Sequence, residues 1–163
     1  MNNKPNALQK IVLRIYMSPT FTTFWPAVQH RLDALVFKLT NGKYSLTEVL
    51  GGISIIQLTA IGAKTGEART MPLVSLFDGE KIVLIASNFG QERNPSWYYN
   101  LKANPKCKVE WHGNLREYIA CEAQNEEREK YWNMAVSYYK GYELYRIRAA
   151  HRQIPVMILE PAK

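Results

Sequence analysis

The stretch "ISIIQLTAIGAKTGEARTMPLVSLFDGEKIVLIAS", residues 53–87, decides the fold. In its first part, "ISIIQLTAI" (53–61), β-branched residues alternate with a period of two, which predicts a strand. "AKTGE" (63–67) breaks the alternation and supplies Gly66, free to take a positive φ, so it predicts a turn. "ARTMPLVSLF" (68–77) resumes the alternation as a second strand. "DG" (78–79) is the strongest short hairpin signal in the chain, and "KIVLIAS" (81–87) returns from it as a third strand.

The rest of the chain extends this pattern. "CKVEW" (107–111) and "LREYIACEA" (115–123) read as a second hairpin around "HGN", and "IPVMILEP" (154–161) as a strand bracketed by prolines. A loop, "NFGQERN" (88–94), leads to a short helix, "PSWYYNLKAN", with Asn94 as N-cap and Pro95 in the first helical position. Asn125 is placed to cap "EEREKYWNMAVSYY", and Gly141 interrupts helicity before "YELYRIRAA". Upstream, "ALQKIVLRIYM" (7–17) and "PAVQHRLDALVFKLT" (26–40) carry apolar stripes at helical spacing, with Gly42 as a stop. The expectation is an α+β domain in which about six mostly antiparallel strands form a small barrel with helices before, between and after them.

The 163 residues fit one domain, 1–163, with 1–50 a helical extension and 51–163 the barrel. A hydrophobic share of 47% and a charged share of 21% argue against disorder. No apolar run reaches the length of a membrane span, and "MNNKPNALQK" lacks the cationic-then-apolar order of a secretory signal, so the expected location is the cytoplasm. The basic N-terminal helices suit either docking on the domain or peripheral contact with the inner face of a membrane. The net charge of +7 favours an anionic partner without choosing among nucleic acid, acidic lipid and a phosphorylated small molecule. Two cysteines, Cys107 and Cys121, are too few for a disulfide framework and read as small core residues; no His or Cys cluster offers a metal site. Monomer and homodimer are equally compatible with the sequence.

Lys64-Thr65-Gly66 invites comparison with a P-loop and fails it. Ala63 stands where the second glycine is required, Leu58 where the first is, and a strand follows where a helix must. A different anion grip remains, in which Lys64 and Arg69 lie on one barrel rim and Gly62 and Gly66 admit an anion to the backbone. Taken alone, this reads first as an exposed basic turn. Ser87 and Asn88 end a strand where a hydroxyl and an amide can meet a ligand, and Trp97 near a helix start can flank a planar ring or pack the helix to the barrel. Tyr139, Tyr142 and Tyr145 recur every three residues, a spacing suited to a pocket for an aromatic compound and also to a core stripe.

Together these motifs carry a specific resemblance. T-x-I-G-x-K-T-G-x-x-R-x-x-P-L, A-S-N-x-G, N-P-x-W-Y-x-N-L-K-A-N-P, E-E-R and I-P-V-x-x-L-E-P follow in this order from Leu58 to Pro161. The series resembles the deazaflavin-dependent nitroreductase family. The resemblance implies a split β-barrel like that of flavin mononucleotide oxidases. It implies coenzyme F-420 as cofactor, with its phosphate and oligoglutamate tail, and hydride transfer to a quinone, nitroaromatic or activated alkene.

By the same resemblance, Ala63, Lys64 and Thr65 belong to the phosphate-contacting turn, and Arg69, Thr70, Met71, Pro72, Leu73 and Val74 run beside the phosphate and ring. Ile85, Ala86, Ser87 and Asn88, with Ser96, Trp97, Tyr98, Tyr99 and Asn100, close other sides. Tyr142 matches a tyrosine that lies over the ring, with Tyr139 and Tyr145 at the substrate mouth; Tyr142 or Tyr145 is the candidate to donate a proton or orient the acceptor. The chain departs from the pattern at Ala63, usually Arg or Lys, which removes one anion contact. Val74 and Asn88 differ from the drug-activating member, so substrate range does not transfer. Two rivals remain: a flavin mononucleotide enzyme on the same barrel, and a non-enzymatic module binding nucleic acid or an acidic membrane. No nucleic-acid-binding motif is present.

Overall fold

The structure, a computed structural model, describes residues 54–162. The helices expected in 1–50, and with them the expected membrane contact, lie outside the described residues.

Seven strands form one antiparallel sheet: β1 (Ile55–Ile61), β2 (Ala68–Val74), β3 (Leu76–Asp78), β4 (Lys81–Ile85), β5 (Lys106–Trp111), β6 (Asn114–Glu122) and β7 (Val156–Pro161). Among the described residues three α-helices accompany it: α1 (Ser96–Ala103), α2 (Asn125–Tyr138) and α3 (Gly141–Arg148). The sheet order is β2-β1-β5-β6-β7-β4-β3.

The count is seven where six were expected, because "ARTMPLVSLF" is two strands. Buried Ser75 breaks the ladder: its N–H donates to the Ser54 carbonyl at 2.9 Å and its hydroxyl to the same oxygen at 3.3 Å. Residues before it pair with β1 (Ile55 opposite Val74), and residues after it pair with β4 (Leu76 opposite Val83). β2 and β3 are therefore consecutive in the chain yet stand at opposite ends of the sheet order. One residue can link the two outer strands only if the sheet curls until its edges meet, which makes it a split barrel. Pro72 is tolerated in β2 because that strand has a free edge.

The curled sheet explains two unbroken apolar runs. β4 and β7 bury both faces. Ile82, Leu84, Met157 and Leu159 enter the barrel core with Ile56, Leu58, Val109, Trp97 and Leu101. Val83, Ile85, Val156 and Ile158 face a second core with Tyr131, Trp132, Ala135 and Tyr142 from α2 and α3. Each large side chain so buried contributes about 1.5–3 kcal/mol. The β3–β4 hairpin turns through Gly79 (φ 63°), and Asp78 beside it accepts from Lys130 Nζ at 2.7 Å and Tyr131 Oη at 3.0 Å, tying the hairpin to α2.

Three sequence expectations change. Asn94 is not the α1 cap; that position is Pro95, and the Asn94 Oδ1 accepts instead from Arg152 Nη1. Asn125 is the first residue of α2, with φ 48°, and Gln124 is the N-cap. Cys121 is exposed whereas Cys107 is buried. Cys107 lies opposite Tyr118 on the barrel face, and with a side-chain period of two Cys121, an odd step from Tyr118, falls on the other face. Burial pushes the Cys107 thiol up to about 12.

Candidate active site

β1 ends at Ile61 and β2 begins at Ala68, so residues 62–67 form a turn at the barrel rim. Gly62 N–H donates to Glu67 O at 2.8 Å and Gly66 N–H to Gly62 O at 2.9 Å. Both glycine amides are spent inside the turn. Gly66 is required by its φ of 70°, and Gly62 by crowding: a Cβ there would lie 2.8 Å from Thr65 Oγ1 and 3.4 Å from Arg69 Nε. The amides of Lys64 and Thr65 have no acceptor among the described residues. Ala63 N–H donates to Asn100 Oδ1 at 3.0 Å, and this bond fixes the turn to α1.

Arg69 folds back over the turn, close enough to Gly62 to crowd it, and pairs loosely with Glu67 at 3.4 Å. Both side chains are more than half exposed, at 53% and 72%, so the pair holds Arg69 weakly. Lys64 has no ion-pair partner among the described residues. Two cations, two unaccepted amides and a turn held at both ends make a rim suited to an anion. Thr70 Oγ1 shares a hydrogen bond with Thr59 Oγ1 at 2.8 Å. Met71 and Leu73 pack inward against the barrel core, while Arg69, Thr70, Pro72 and Val74 are exposed.

At the end of β4, Ile85, Ala86 and Ser87 are buried, and the chain then makes one 3-10 turn, Asn88–Gly90. Asn88, Phe89 and Gly90 all have positive φ, at 48°, 55° and 78°. Asn88 Nδ2 is engaged within the loop, donating to Arg93 O at 2.8 Å and Gln91 Oε1 at 3.2 Å. Gly90 has no room for a side chain: a Cβ would lie 2.6 Å from Arg148 Cβ and 2.9 Å from Tyr145 O, so this turn sits directly on α3.

In α1, Ser96 is exposed at the first turn, Tyr99 is exposed, and Asn100 is buried with its Oδ1 on Ala63. Trp97 is buried in the barrel core, the packing role weighed above. Tyr98 Oη donates to Glu122 Oε2 at 3.1 Å, and Lys102 Nζ reaches the same oxygen at 2.9 Å. Tyr98 is thus anchored to β6; burial first, and then Glu122, raise its pKa.

Tyr139, Tyr142 and Tyr145 form one cluster, with ring centroids 5.6 Å (139–142), 6.1 Å (142–145) and 6.3 Å (139–145) apart. Tyr139 is the C-cap of α2, and α3 opens on Gly141, where a Cβ would overlap the Tyr139 ring. Tyr142 is 6% exposed and lies under the other two, which are half-buried. Burial pushes the phenols of Tyr142 and Tyr145 well up, so both keep their protons throughout the neutral range. Phe89 meets Tyr145 edge-on at 5.9 Å and is itself 67% exposed.

The candidate residues therefore form two groups. The rim turn, β2 and α1 are joined through Asn100 and Ala63. The tyrosines join the 88–90 turn through Phe89 and Gly90. No hydrogen bond or ring contact links the tyrosines to residues 63–74 among the described residues; the 87–94 loop, which runs from the second group into α1, is the covalent bridge. Two concavities lie elsewhere, one of about 550 Å³ beside the start of α2 and one of about 280 Å³ against Phe77, Trp111 and Tyr118. We place no chemistry there, since neither includes any of the candidate residues. No group of three or more metal-ligating side chains occurs among the described residues. Sequence reasoning missed Arg152, which binds the 87–94 loop, and Glu122, which anchors Tyr98 and Lys102. The available signal for Arg152 was a lone arginine just ahead of the buried "IPVMIL" strand.

A family model described as F420H(2)-dependent quinone reductase matches residues 29–161. Rv3178 of Mycobacterium tuberculosis, provisionally named an F420H(2)-dependent quinone reductase, is 33% identical over 98 residues, covering 60% of this chain and 82% of that protein. The F420H(2)-dependent quinone reductase Rv1261c of the same species is 37% identical over 79 residues, 48% of this chain; the match spans about half (52%) of its length. A solved F420-H2 dependent reductase, FDR-A, is 38% identical with a TM-score of 0.60, covering 66% of this chain and 94% of that one. A solved chain described as a domain-swapped dimer is 33% identical with a TM-score of 0.63, covering 88% and 100%. Since the family model spans most of the chain, including the barrel, the rim turn and the tyrosine cluster, this protein belongs to the F420H(2)-dependent quinone reductase family.

Proposed function

We propose that this protein is an oxidoreductase that reduces a quinone, or an acceptor of similar electron deficiency, with the reduced form of coenzyme F-420. The observation that carries the reading is the rim turn. Lys64 and Arg69 flank two amides without acceptors, on a backbone fixed by Asn100 and by Gly66. This donor set fits a phosphate and an acidic tail: Lys64 offers a point charge, Arg69 a planar fork, and the amides direct hydrogen bonds. The deazaflavin, when bound, supplies the hydride.

The chain's own residues bind, orient and protonate. Lys64, Thr65 and Arg69 hold the anionic end; on β2 beside it Met71 and Leu73 offer apolar side chains on the barrel face, and Pro72 and Val74 on the exposed face. Asn100 keeps the rim in place. Tyr139 and Tyr145 stand outermost in their cluster and are the residues that meet the acceptor, while Tyr142, buried behind them, orients them. The Tyr145 phenol, whose pKa burial raises, acts as a hydrogen-bond donor to a developing oxyanion. The proton that completes the hydroquinone then comes through a phenol from solvent.

The test is a fluorescence titration with F-420. Lys64→Ala and Arg69→Ala should each weaken binding severalfold while the thermal transition stays in place. Unchanged affinity in both variants means the anion site is elsewhere. Tight binding of flavin mononucleotide with none of F-420 would transfer the reading to that cofactor. Steeply salt-dependent binding to DNA or anionic vesicles, with neither cofactor bound, would make the protein a binding module.

A further inference from the structure

We infer that Arg152 is a positioning residue for the acceptor side of the site, an inference that rests on the reductase reading above. Three consecutive residues, Asn88, Phe89 and Gly90, sit at positive φ, and two of them carry side chains that disfavour it. Such a run persists only where its surroundings over-determine it. The loop's own bonds contribute: Gly90 N–H donates to Ser87 O and Gln91 N–H to Asn88 O, each at 2.9 Å.

Beside these, the Asn88 Nδ2 bonds and the seating of Gly90 on α3, a further hold comes from one guanidinium four residues past the end of α3. Arg152 Nη2 donates to Ser87 O at 2.9 Å and to Gln91 O at 3.0 Å, Nε donates to Gln91 O at 3.1 Å, and Nη1 donates to Asn94 Oδ1. His151 adds a contact of 3.0 Å between its Nε2 and Glu92 O. Arg152 thus closes the loop across its mouth, from the last buried residue after β4 to the residue before Pro95. A planar fork can meet these carbonyls at once; an ammonium cannot.

Two consequences follow from the geometry. The strained turn pushes the Phe89 ring outward while keeping its edge on Tyr145, so a planar acceptor on the tyrosines finds Phe89 beside it. At the loop's other end, Asn94 and Pro95 start α1. The rim turn shares none of these bonds; its tie to α1 lies farther along the helix, from Ala63 N–H to Asn100 Oδ1. Arg152 should therefore govern acceptor handling and leave the anion grip alone.

The experiment uses full-length Arg152→Lys and Arg152→Ala with reduced F-420 and menadione. Catalytic efficiency toward menadione should fall about tenfold or more through misplacement of the acceptor side. The F-420 dissociation constant should move less than about twofold, as expected for independent sites. Millimolar methylguanidinium should restore turnover to Arg152→Ala, and methylammonium should not. Unaltered kinetics in both folded variants, equal losses of cofactor affinity and acceptor efficiency, or no guanidinium rescue would each overturn the inference. Should the wild-type protein not oxidise reduced F-420, the reductase reading fails by itself. Amide exchange then tests the clamp: Arg152→Lys should speed exchange at 88–93 and not in β1 or β7, and unchanged exchange there overturns it.

Discussion

Ala63 sits on the rim proposed to bind the anion and contributes no charge, so adding one there should tighten the site. Its side chain is exposed, and its backbone is fixed by the 3.0 Å bond from its N–H to Asn100, so Ala63→Arg adds a guanidinium without disturbing the turn. A charge-assisted hydrogen bond in a dry site contributes about 1.5–3 kcal/mol. Here the position is open to water, and the value for exposed pairs, about 0.2–1 kcal/mol, is the better guide. A gain of about 0.5–1 kcal/mol corresponds to roughly a two- to fivefold lower Kd for F-420. The gain should be largest at low ionic strength and fade toward 1 M salt, where the screening length falls from about 10 Å to about 3 Å. A fluorescence titration of both proteins across salt concentrations measures it. Unchanged or weaker binding by the variant at low salt would show that the anion does not lie on this turn.

Other positions test the remaining parts of the account. Tyr145→Phe should lower turnover with menadione about tenfold or more while leaving the F-420 Kd unchanged, and Tyr142→Phe should lower it less; the reverse order would place the buried phenol on the acceptor. Gly141→Ala, whose new Cβ would overlap the Tyr139 ring, should cost about 1–3 kcal/mol of stability by overpacking and slow turnover with it, read as Tm and kcat together. Asp78 has its pKa lowered from 3.8, first by the hydrogen bond from Lys130 and then by that from Tyr131. Its contribution to stability is therefore present above about pH 4 and lost as pH falls through the lowered value. Tm against pH should drop below pH 4 more steeply for the wild type than for Asp78→Asn, and parallel curves would remove Asp78 from the acid response.

Much of the barrel was legible because hairpin chemistry is local. Asp78-Gly79 and His112–Asn114 mark their turns with the residues that turns require, and alternation marks the strands between. The division at Ser75 was not legible, because alternation continues through it: Val74 and Leu76 look like neighbours on one face of one strand. Only the pairing of each half with a different partner separates them, and pairing is a long-range property. Helix starts were misplaced by a residue for a related reason. Asn94 and Asn125 have the chemistry of N-caps, yet a tertiary partner, Arg152, takes the Asn94 oxygen, and Asn125 adopts a left-handed backbone inside the helix.

In the site, motif order brought out the rim turn and the tyrosines, and the tie between Ala63 and Asn100 joins two of those motifs directly. The three-residue spacing alone says nothing about depth; only the resemblance put Tyr139 and Tyr145 at the mouth. Nor did motif order reveal Arg152, three of whose four bonds go to backbone carbonyls that any sequence supplies. Cys121 was assigned to the core because cysteine usually is, and one register step put it on the other face.

The central claim is that the cationic rim holds the anionic end of reduced F-420 while the tyrosine side receives an electron-poor acceptor. The most direct measurement is the oxidation of reduced F-420 by the purified full-length protein with menadione, followed by the return of oxidised-cofactor absorbance. The account predicts multiple turnovers with the wild type and a raised F-420 KM in Lys64→Ala and Arg69→Ala. No acceleration over the protein-free reaction, from a folded protein at saturating cofactor, would contradict it.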